Sequence, residues 1–302
     1  MADGLEARLS RRDLKRRFGC NEACLQHLIR IRQSELCVCG KGGECGPLYR
    51  VRASAFRSRI CGHLIWPASN TLFHNSNIDL SKWFEALWLF SISRNGLTVN
   101  FTQRYFGISH VAAWRLLTRL RMHITLLRER VILGSTGREV VVTDSDIKSV
   151  KSTRSTRTST GKVVAISDGE EMYTFLIPRR RPSAVARIVR KHLAVNSRIA
   201  AADRPIYRSL SGAKSGLQVR YLSDEELLEV YAWREIAGYW LTSKGMLAGT
   251  YKHFREKNLM GYLKEFEWRH ANRNRPDYGF GTLISEFPVM PSGTPPINSL
   301  VQ

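Results

Sequence analysis

Apolar residues recur at helical spacing along the first part of the chain. The spacing predicts a helical region from Leu9 to Gln33, whose apolar face comprises Leu14, Phe18, Leu25, Leu28 and Ile29. A second helical block runs from about Ser81 to Glu129 and is broken once, by the turn at Phe106–Ser109. The dense apolar stretch WFEALWLFSI is too short to span a bilayer and contains Glu85, so it predicts a buried helix.

After Arg138 the pattern changes to short runs of β-branched and aromatic residues. Five runs predict strands, and they are REVVVTDSD, GKVVAISD, EMYTFLIP, SRIAAAD and LQVRYL. The basic stretch RRRPSAVARIVRKHL, between the third and fourth runs, predicts a helix, and the chain from Asp224 to about Arg275 is again helical. By analogy, three strands, a helix, two strands and further helices is the order of a ribonuclease-H-like sheet.

These patterns predict an α/β protein of five segments. A basic helical region occupies residues 1–36, and a Cys-rich, degenerate zinc-ribbon-like module occupies 37–80. A helix-turn-helix DNA-binding domain is predicted over 81–130, and a ribonuclease-H-like mixed-sheet domain over 138–275. Residues 276–302 hold five prolines and are predicted to be an irregular tail.

The segment NGLTVNFTQRYFGISHVAAWRLLTRLRMHI has the pattern of a helix-turn-helix. Gly107 can adopt the positive φ that turns the chain, and Ser109 is placed to cap the second helix. That helix is predicted to direct Val111, Trp114 and Leu117 toward a core and basic side chains outward, which suits the major groove. An ordinary αα-hairpin has the same short turn and is the alternative. The predicted DNA-binding residues are Ser109, His110, Arg115, Arg119 and Arg121.

The net positive charge of the chain indicates which class of partner it binds. There are 47 Lys and Arg against 26 Asp and Glu, a formal net charge of +21. Such an excess is typical of proteins whose partners carry dense phosphate charge. With the helix-turn-helix, it favours double-stranded DNA over a structural RNA-binding scaffold or a membrane-surface protein. The sequence contains neither a membrane-spanning run nor the apolar core of a signal peptide, so the expected location is the cytoplasm, in association with the nucleoid.

Six cysteines in a protein expected inside the cell are more typical of thiols or metal ligands than of disulfides. A zinc ribbon commonly supplies its ligands as two close pairs. Here the first pair is C-x-C and the second is C-x-H, so the zinc pattern is incomplete and buried structural thiols are the favoured alternative. The candidate zinc ligands are Cys37, Cys39 or Cys45, Cys61 and His63.

Several segments, taken in order, resemble one known family. They are NTLFHNSNIDLSKWFEALWLF, GLTVNFTQRYFGISHVAAWRLLTRLR, VVVTDSD, AAADRPIYRSL, REIAGYWLTSKGMLAGTYKHF and LMGYLKEFEWRHANR. From roughly Arg32 to Arg275 the chain resembles the bacterial insertion-sequence DDE transposases related to the eukaryotic Merlin elements. The resemblance implies a ribonuclease-H-like domain whose acidic side chains hold two divalent cations, Mg²⁺ or Mn²⁺, for DNA strand cleavage and joining. It also implies a homodimer or a higher homo-oligomer on paired DNA ends.

The resemblance places the first metal-binding aspartate at Asp144 and the second at Asp203, each after a short apolar strand. The third position departs from the family, because Arg234 stands where an amide or acid is expected and a guanidinium cannot ligate a cation. Ala237 stands where the family has a glutamate, although the following Gly-Tyr-Trp and the later Lys244 match.

Two further positions depart from the family. Ser145 replaces the acid that follows the first aspartate, and Ser58 replaces the third cysteine of the Cys-rich module. Glu235 or Asp146 could supply a compensating carboxylate, and plain surface charge is the alternative interpretation of both.

Two functions are therefore compatible with the sequence. One is a sequence-specific DNA-binding protein derived from a transposase, a domesticated transposase in which strand cleavage is lost or weakened. The other is an active DDE transposase that uses Asp144, Asp203 and a displaced Glu235 as catalytic acids, with Lys244 gripping the DNA.

Overall fold

The computed structural model describes residues 9–36, 46–148, 160–177, 182–211, 216–251 and 258–290. Within them the helices are α1 (Arg11–Phe18), α2 (Asn21–Leu36), α3 (Leu80–Ile92), α4 (Val99–Phe106), α5 (His110–Arg128), α6 (Pro182–Lys191), α7 (Asp224–Glu229), α8 (Tyr231–Ala248), α9 (Leu259–Ala271) and α10 (Pro276–Ser285). The strands are β1 (Leu48–Arg52), β2 (Ala55–Ser58), β3 (Leu64–Ile65), β4 (Val140–Lys148), β5 (Thr160–Ser167), β6 (Met172–Leu176), β7 (Arg198–Ala202) and β8 (Gln218–Leu222). None of these helices combines the length and the apolarity needed to cross a bilayer.

The first of two compact units consists of the described residues of Met1–Ser93, Val99–His123 and Arg275–Thr294. Helices α1, α2 and α10 pack on α3, and β1 to β3 form a small antiparallel sheet. The apolar face predicted for the N-terminal helical region is confirmed, since each of its members is at most 9% exposed. Its members are Leu14, Phe18, Leu25, Leu28 and Ile29. The apolar stretch that begins at Trp83 is a buried helix, as expected.

The prediction that the chain is irregular from residue 276 onward is wrong for its first ten residues. Pro276–Ser285 forms α10, which packs on α3 and buries Phe280, Leu283 and Ile284. Pro276 is compatible with the helix because the first turn of a helix needs no backbone N–H donor there. Phe280 also contacts the ring of Phe18 edge-on at 6.3 Å, so the segment belongs to the core of this unit.

The second unit contains the described residues of Arg94–Thr98 and Ile124–Asn274. Its five-stranded mixed sheet has the order β6-β5-β4-β7-β8, in which β4 pairs antiparallel with β5 and parallel with β7. All five strands predicted after Arg138 are present. The central strand begins with Val140, Val141 and Val142, which are fully buried, and α8 packs on β4 and β5.

The strand register brings the two candidate aspartates into line. In the parallel pairing of β4 with β7, Val140 lies opposite Ile199 and Val142 lies opposite Ala201. Continued by two residues, this register sets Asp144 opposite Asp203, at the end of β7. The mixed α/β fold is the expected one, but Asp144 lies within β4 and does not follow it, whereas Asp203 directly follows β7.

A buried histidine makes the stability of the fold sensitive to acid. His192 stacks on Tyr173 with ring centroids 3.6 Å apart, and its Nδ1 lies 2.9 Å from the carbonyl oxygen of Val131. Burial lowers the pKa of His192 below its ordinary value of 6.5. The unfolded chain thus takes up a proton that the folded chain resists, and the free energy of unfolding is lost as the pH falls below 6.5.

We expect His192→Gln to reduce the loss of unfolding free energy that accompanies a fall in pH. Urea unfolding at several pH values between about 7 and 5 measures the free energy of unfolding of the wild type and the variant. The wild type should lose stability over this range more steeply than the variant. The matched control is His74→Gln at an exposed site, which should keep the wild-type slope. Equal slopes in the wild type and His192→Gln would contradict the assignment.

Candidate functional site

The carboxylate of Asp144 lies at the centre of a cluster of cations and a phenol. Its side chain is 1% exposed. Arg204 Nη1 lies 2.8 Å from Oδ1, and the Tyr207 hydroxyl donates a hydrogen bond of 2.7 Å to the same oxygen. Lys162 Nζ lies 2.7 Å from Oδ2, as an ion pair without the alignment of a hydrogen bond. Both oxygens of the carboxylate are thus engaged by groups of the chain itself.

The sheet and the turn after β7 bring these groups together. Lys162 lies opposite Asp146 in the β4–β5 pairing, two residues from Asp144 and hence on the same face of the sheet. Arg204 and Tyr207 belong to the link after β7, in which a 3₁₀ turn covers Pro205–Leu210. The sequence reasoning assigned no role to Lys162 or Arg204, because their partner is more than fifteen residues away along the chain.

The Asp144 carboxylate raises the pKa values of its two neighbours Tyr207 and Arg204. Burial and the adjacent Asp144 carboxylate raise the pKa of Tyr207, which therefore stays protonated and donates. Burial alone would lower the pKa of Arg204, but the charges of Asp144 and Asp224 outweigh burial and raise that pKa. Arg204 Nη2 lies 3.2 Å from Asp224, so the guanidinium connects the end of the sheet to the start of α7.

Asp203 differs from Asp144 in its surroundings. It is exposed, and its backbone N–H donates to the carbonyl oxygen of Leu222 at 2.8 Å, which fixes the chain as it leaves β7. Asp146 is also exposed, on β4. These two acids are open to solvent, whereas Asp144 is enclosed.

The candidate third position lies on α8. Arg234 is exposed there, and Lys244 is exposed three turns further along the helix. Glu235 accepts hydrogen bonds from His270 at 2.8 Å and from Arg273 at 2.9 Å. Its carboxylate therefore ties α8 to the end of α9 through two basic partners.

The donor set does not fit a pair of divalent cations. A metal ligand needs free carboxylate oxygens, but those of Asp144 face a guanidinium, an ammonium and a phenol. Glu235 is engaged with His270 and Arg273, and a guanidinium occupies the third position at Arg234. Over the described ranges, no three His, Cys, Asp or Glu side chains lie together as a ligand set.

The candidate zinc ligands are only partly described. Cys37, Cys39 and Cys45 lie outside the described residues, Cys61 is partly buried and His63 is exposed. Ser58, at the position of the missing cysteine, accepts backbone N–H bonds from Ile60 at 3.1 Å and Cys61 at 3.2 Å. Its hydroxyl thus holds the turn between β2 and β3, and zinc binding stays a prediction that metal analysis of the purified protein can test.

Helices α4 and α5 have the local geometry that the sequence predicted. Gly107, between them, has a φ of +59°. The Ser109 hydroxyl accepts the backbone N–H of Ala112 at 3.1 Å and so caps α5. Both are features of a tight turn between two helices, which a helix-turn-helix and a simple αα-hairpin share.

The five residues predicted to contact DNA fall into two groups. Ser109, His110 and Arg115 are exposed near the start of α5. Arg119 is partly buried and its guanidinium bonds the carbonyl oxygens of Leu72 and His74. Arg121 is 6% exposed, which does not suit a residue that reaches a duplex. Only the first group is exposed to solvent.

The core-facing stripe of α5 is shifted from the predicted one. Leu117 is buried as expected, but Val111 is 56% exposed and Trp114 is 43% exposed. Between its start and Leu120, α5 buries residues at the spacing i, i+3, i+4 and i+7 from another starting point. They are Ala113, Leu116, Leu117 and Leu120.

A mixed sheet of this order, with Asp144 on its central strand and Asp203 directly after the adjacent parallel strand, is consistent with a ribonuclease-H-like transposase domain. Comparison with family models agrees, since residues 135–271 match the ISXO2-like transposase domain. The match covers less than half of the chain, and it supports the resemblance to insertion-sequence transposases found in the sequence. Transposases of the DDE class use Mg²⁺ or Mn²⁺ when they are catalytic.

The similarity of the chain to solved structures is low. One solved structure that matches is the Mos1 transposase paired-end complex with the left transposon end, at 10% identity over 68% of this chain and 80% of that chain. Its TM-score of 0.24 is too low to carry an argument. No curated protein matches the sequence.

Proposed function

We propose that the chain is a sequence-specific double-stranded DNA-binding protein of the insertion-sequence transposase family, in which strand cleavage is lost or weakened. The observation that carries the proposal is the engagement of the Asp144 carboxylate by Arg204, Lys162 and Tyr207. Internal cations here engage the carboxylate that would hold a divalent ion in an active enzyme of the class.

The DNA-binding part of the proposal rests on α4 and α5. Ser109, His110 and Arg115 are exposed in the first two turns of α5, the part of a recognition helix that approaches base edges. Arg104 is exposed on α4, which precedes it. The net charge of +21 supports a polyanionic partner. A homodimer on paired sites accompanies this proposal.

The second candidate is an active transposase, and the strand register favours it. Asp144 and Asp203 lie in line on adjacent parallel strands, as two metal ligands of the class would. Glu235 and Lys244 on α8 would complete that site. For this function Asp144 must release Arg204 and Lys162, and Glu235 must release His270 and Arg273.

A nicking assay separates the two candidates. Supercoiled plasmid carrying the DNA that flanks the gene is incubated with the protein and either Mg²⁺ or Mn²⁺. We expect the wild type and Asp144→Ala to give the same background of nicked circles and no strand transfer, while a gel-shift assay detects duplex binding by both. Nicking or joining that Asp144→Ala abolishes would establish the active transposase instead.

A further inference from the structure

We infer that Val111 and Trp114 form the base-reading face of α5, and that this face recognises thymine methyl groups in the major groove of duplex DNA. The inference rests on the proposed DNA-binding function and adds its specificity determinant. Val111 and Trp114 are large apolar side chains that α5 exposes to solvent, although the helical pattern predicted that they face a core.

The placement of these side chains is favourable for base contact. Val111 and Trp114 are three residues apart, so they share one face of α5, and they lie in its first two turns. The opposite face of the helix packs into the core through Ala113 and Leu116. Val111 and Trp114 therefore project from a fixed helix.

The chemistry of the major groove supplies a matching partner. Every base pair presents hydrogen-bonding groups there, but only thymine presents a methyl group, which apolar side chains contact. Val111 and Trp114 would bury apolar surface that water now contacts, and burial of such surface is favourable. Exposed His110 and Arg115 flank the pair and offer donors to bases or phosphates.

The charge around this face favours DNA over a second protein. Between Glu85 and Glu129 the sequence contains no acidic residue, and this stretch includes the whole of α4 and α5. Arg104 on α4 and Arg115 on α5 are exposed. An apolar pair flanked by basic side chains of its own helix is repelled by another copy of itself, whereas it complements a groove lined by phosphates.

The test uses the full chain and a binding site selected from a random pool of duplexes. The selected duplex is then remade with uracil in place of each thymine in turn, which removes one methyl group and keeps the hydrogen bonds. The wild type should lose about fourfold in affinity for each contacted methyl, the effect of one buried methyl-sized group. Val111→Ser and Trp114→Ala should abolish the dependence on these methyls.

Controls separate base reading from other roles. Both variants should unfold in urea as the wild type does and should keep its weak affinity for unrelated duplexes, because both side chains are partly exposed. Arg115→Ala should lower the affinity for DNA but keep the effect of uracil. Val111→Ser and Trp114→Ala are separate single variants. Val111→Ser is the less disruptive of the two for folding, because Val111 is the more exposed side chain.

Two results would overturn the inference while the proposed function stands. One is a selected site whose affinity is indifferent to uracil, and the other is a uracil effect that persists in both variants. A change of oligomeric state in the variants with an unaltered uracil effect would assign the face to a protein interface and also overturn it. If no sequence is enriched from the pool, the proposed sequence-specific function fails as well.

Discussion

Affinity for duplex DNA is expected to fall by about 10³-fold or more as salt rises from about 50 to 200 mM, the loss that six or more phosphate contacts produce. The reason is counterion release, since each Lys or Arg that neutralises a phosphate frees a condensed cation. With a net charge of +21, the chain has ample cations for such contacts. Fluorescence anisotropy with a labelled duplex at several salt concentrations gives the slope.

Single arginine variants show which cations contribute to that slope. Arg115→Ala should lower the slope of log K against log salt by about one, because it removes one exposed cation from the start of α5. Arg220→Ala is the matched control, since its guanidinium is already paired with Glu139 at 2.7 Å. A flat salt response of the wild type would contradict the DNA-binding proposal as a whole.

Replacing both Arg204 and Lys162 by Met should cost about 3 kcal/mol of the free energy of unfolding, the lower end of the cost of leaving a buried charge without its partners. The Asp144 side chain is 1% exposed and would keep only the Tyr207 hydroxyl as a partner. The lower end is appropriate because the Arg204 and Lys162 side chains are 34% and 26% exposed, so water reaches this edge of the cluster.

The matched control for this double variant also removes the negative charge of Asp144, which the double variant leaves without its two cationic partners. Adding Asp144→Asn to Arg204→Met and Lys162→Met should restore most of the lost stability, because an amide does not carry the charge that requires the two cations. Urea unfolding of the wild type, the double variant and the triple variant measures the three free energies. A double variant as stable as the wild type would mean that Arg204 and Lys162 do not hold the carboxylate.

The strands of the sheet were predictable because each of them contains a short apolar or β-branched run bounded by polar residues in the sequence. The apolar runs from Val140 to Val142 and from Ile199 to Ala202 predict strands, and both lie in strands, although β4 continues past its apolar run to Lys148. Asp144 and Asp203 could be located for the same reason, since each follows such a run.

Helix faces were harder to predict than helix positions. On α5 the apolar residues cover more than one face, so Val111 and Trp114 fit a stripe as well as Ala113 and Leu116 do. Only the packing of the first unit decides between the stripes. The irregular tail predicted from residue 276 was wrong at its start for another reason. Proline is common in irregular segments, but it is also common in the first turn of a helix, where Pro276 lies.

The partners of Asp144 could not be predicted because they are set by the fold. Lys162 reaches it across a strand pairing, and Arg204 and Tyr207 reach it from the link after β7. A single sequence shows the identity of the acids and the departure at Arg234, but it does not show what neutralises the first acid. That neutralisation is the central claim about this site.

Electron paramagnetic resonance of added Mn²⁺ tests this claim most directly, because it detects bound metal without any requirement for DNA or activity. The free-ion signal is titrated with the wild type and with Asp144→Asn. The two proteins should give the same weak background, since Arg204 and Lys162 occupy the Asp144 carboxylate in the wild type. A saturable Mn²⁺ site in the wild type that Asp144→Asn abolishes would contradict the account and favour an active transposase.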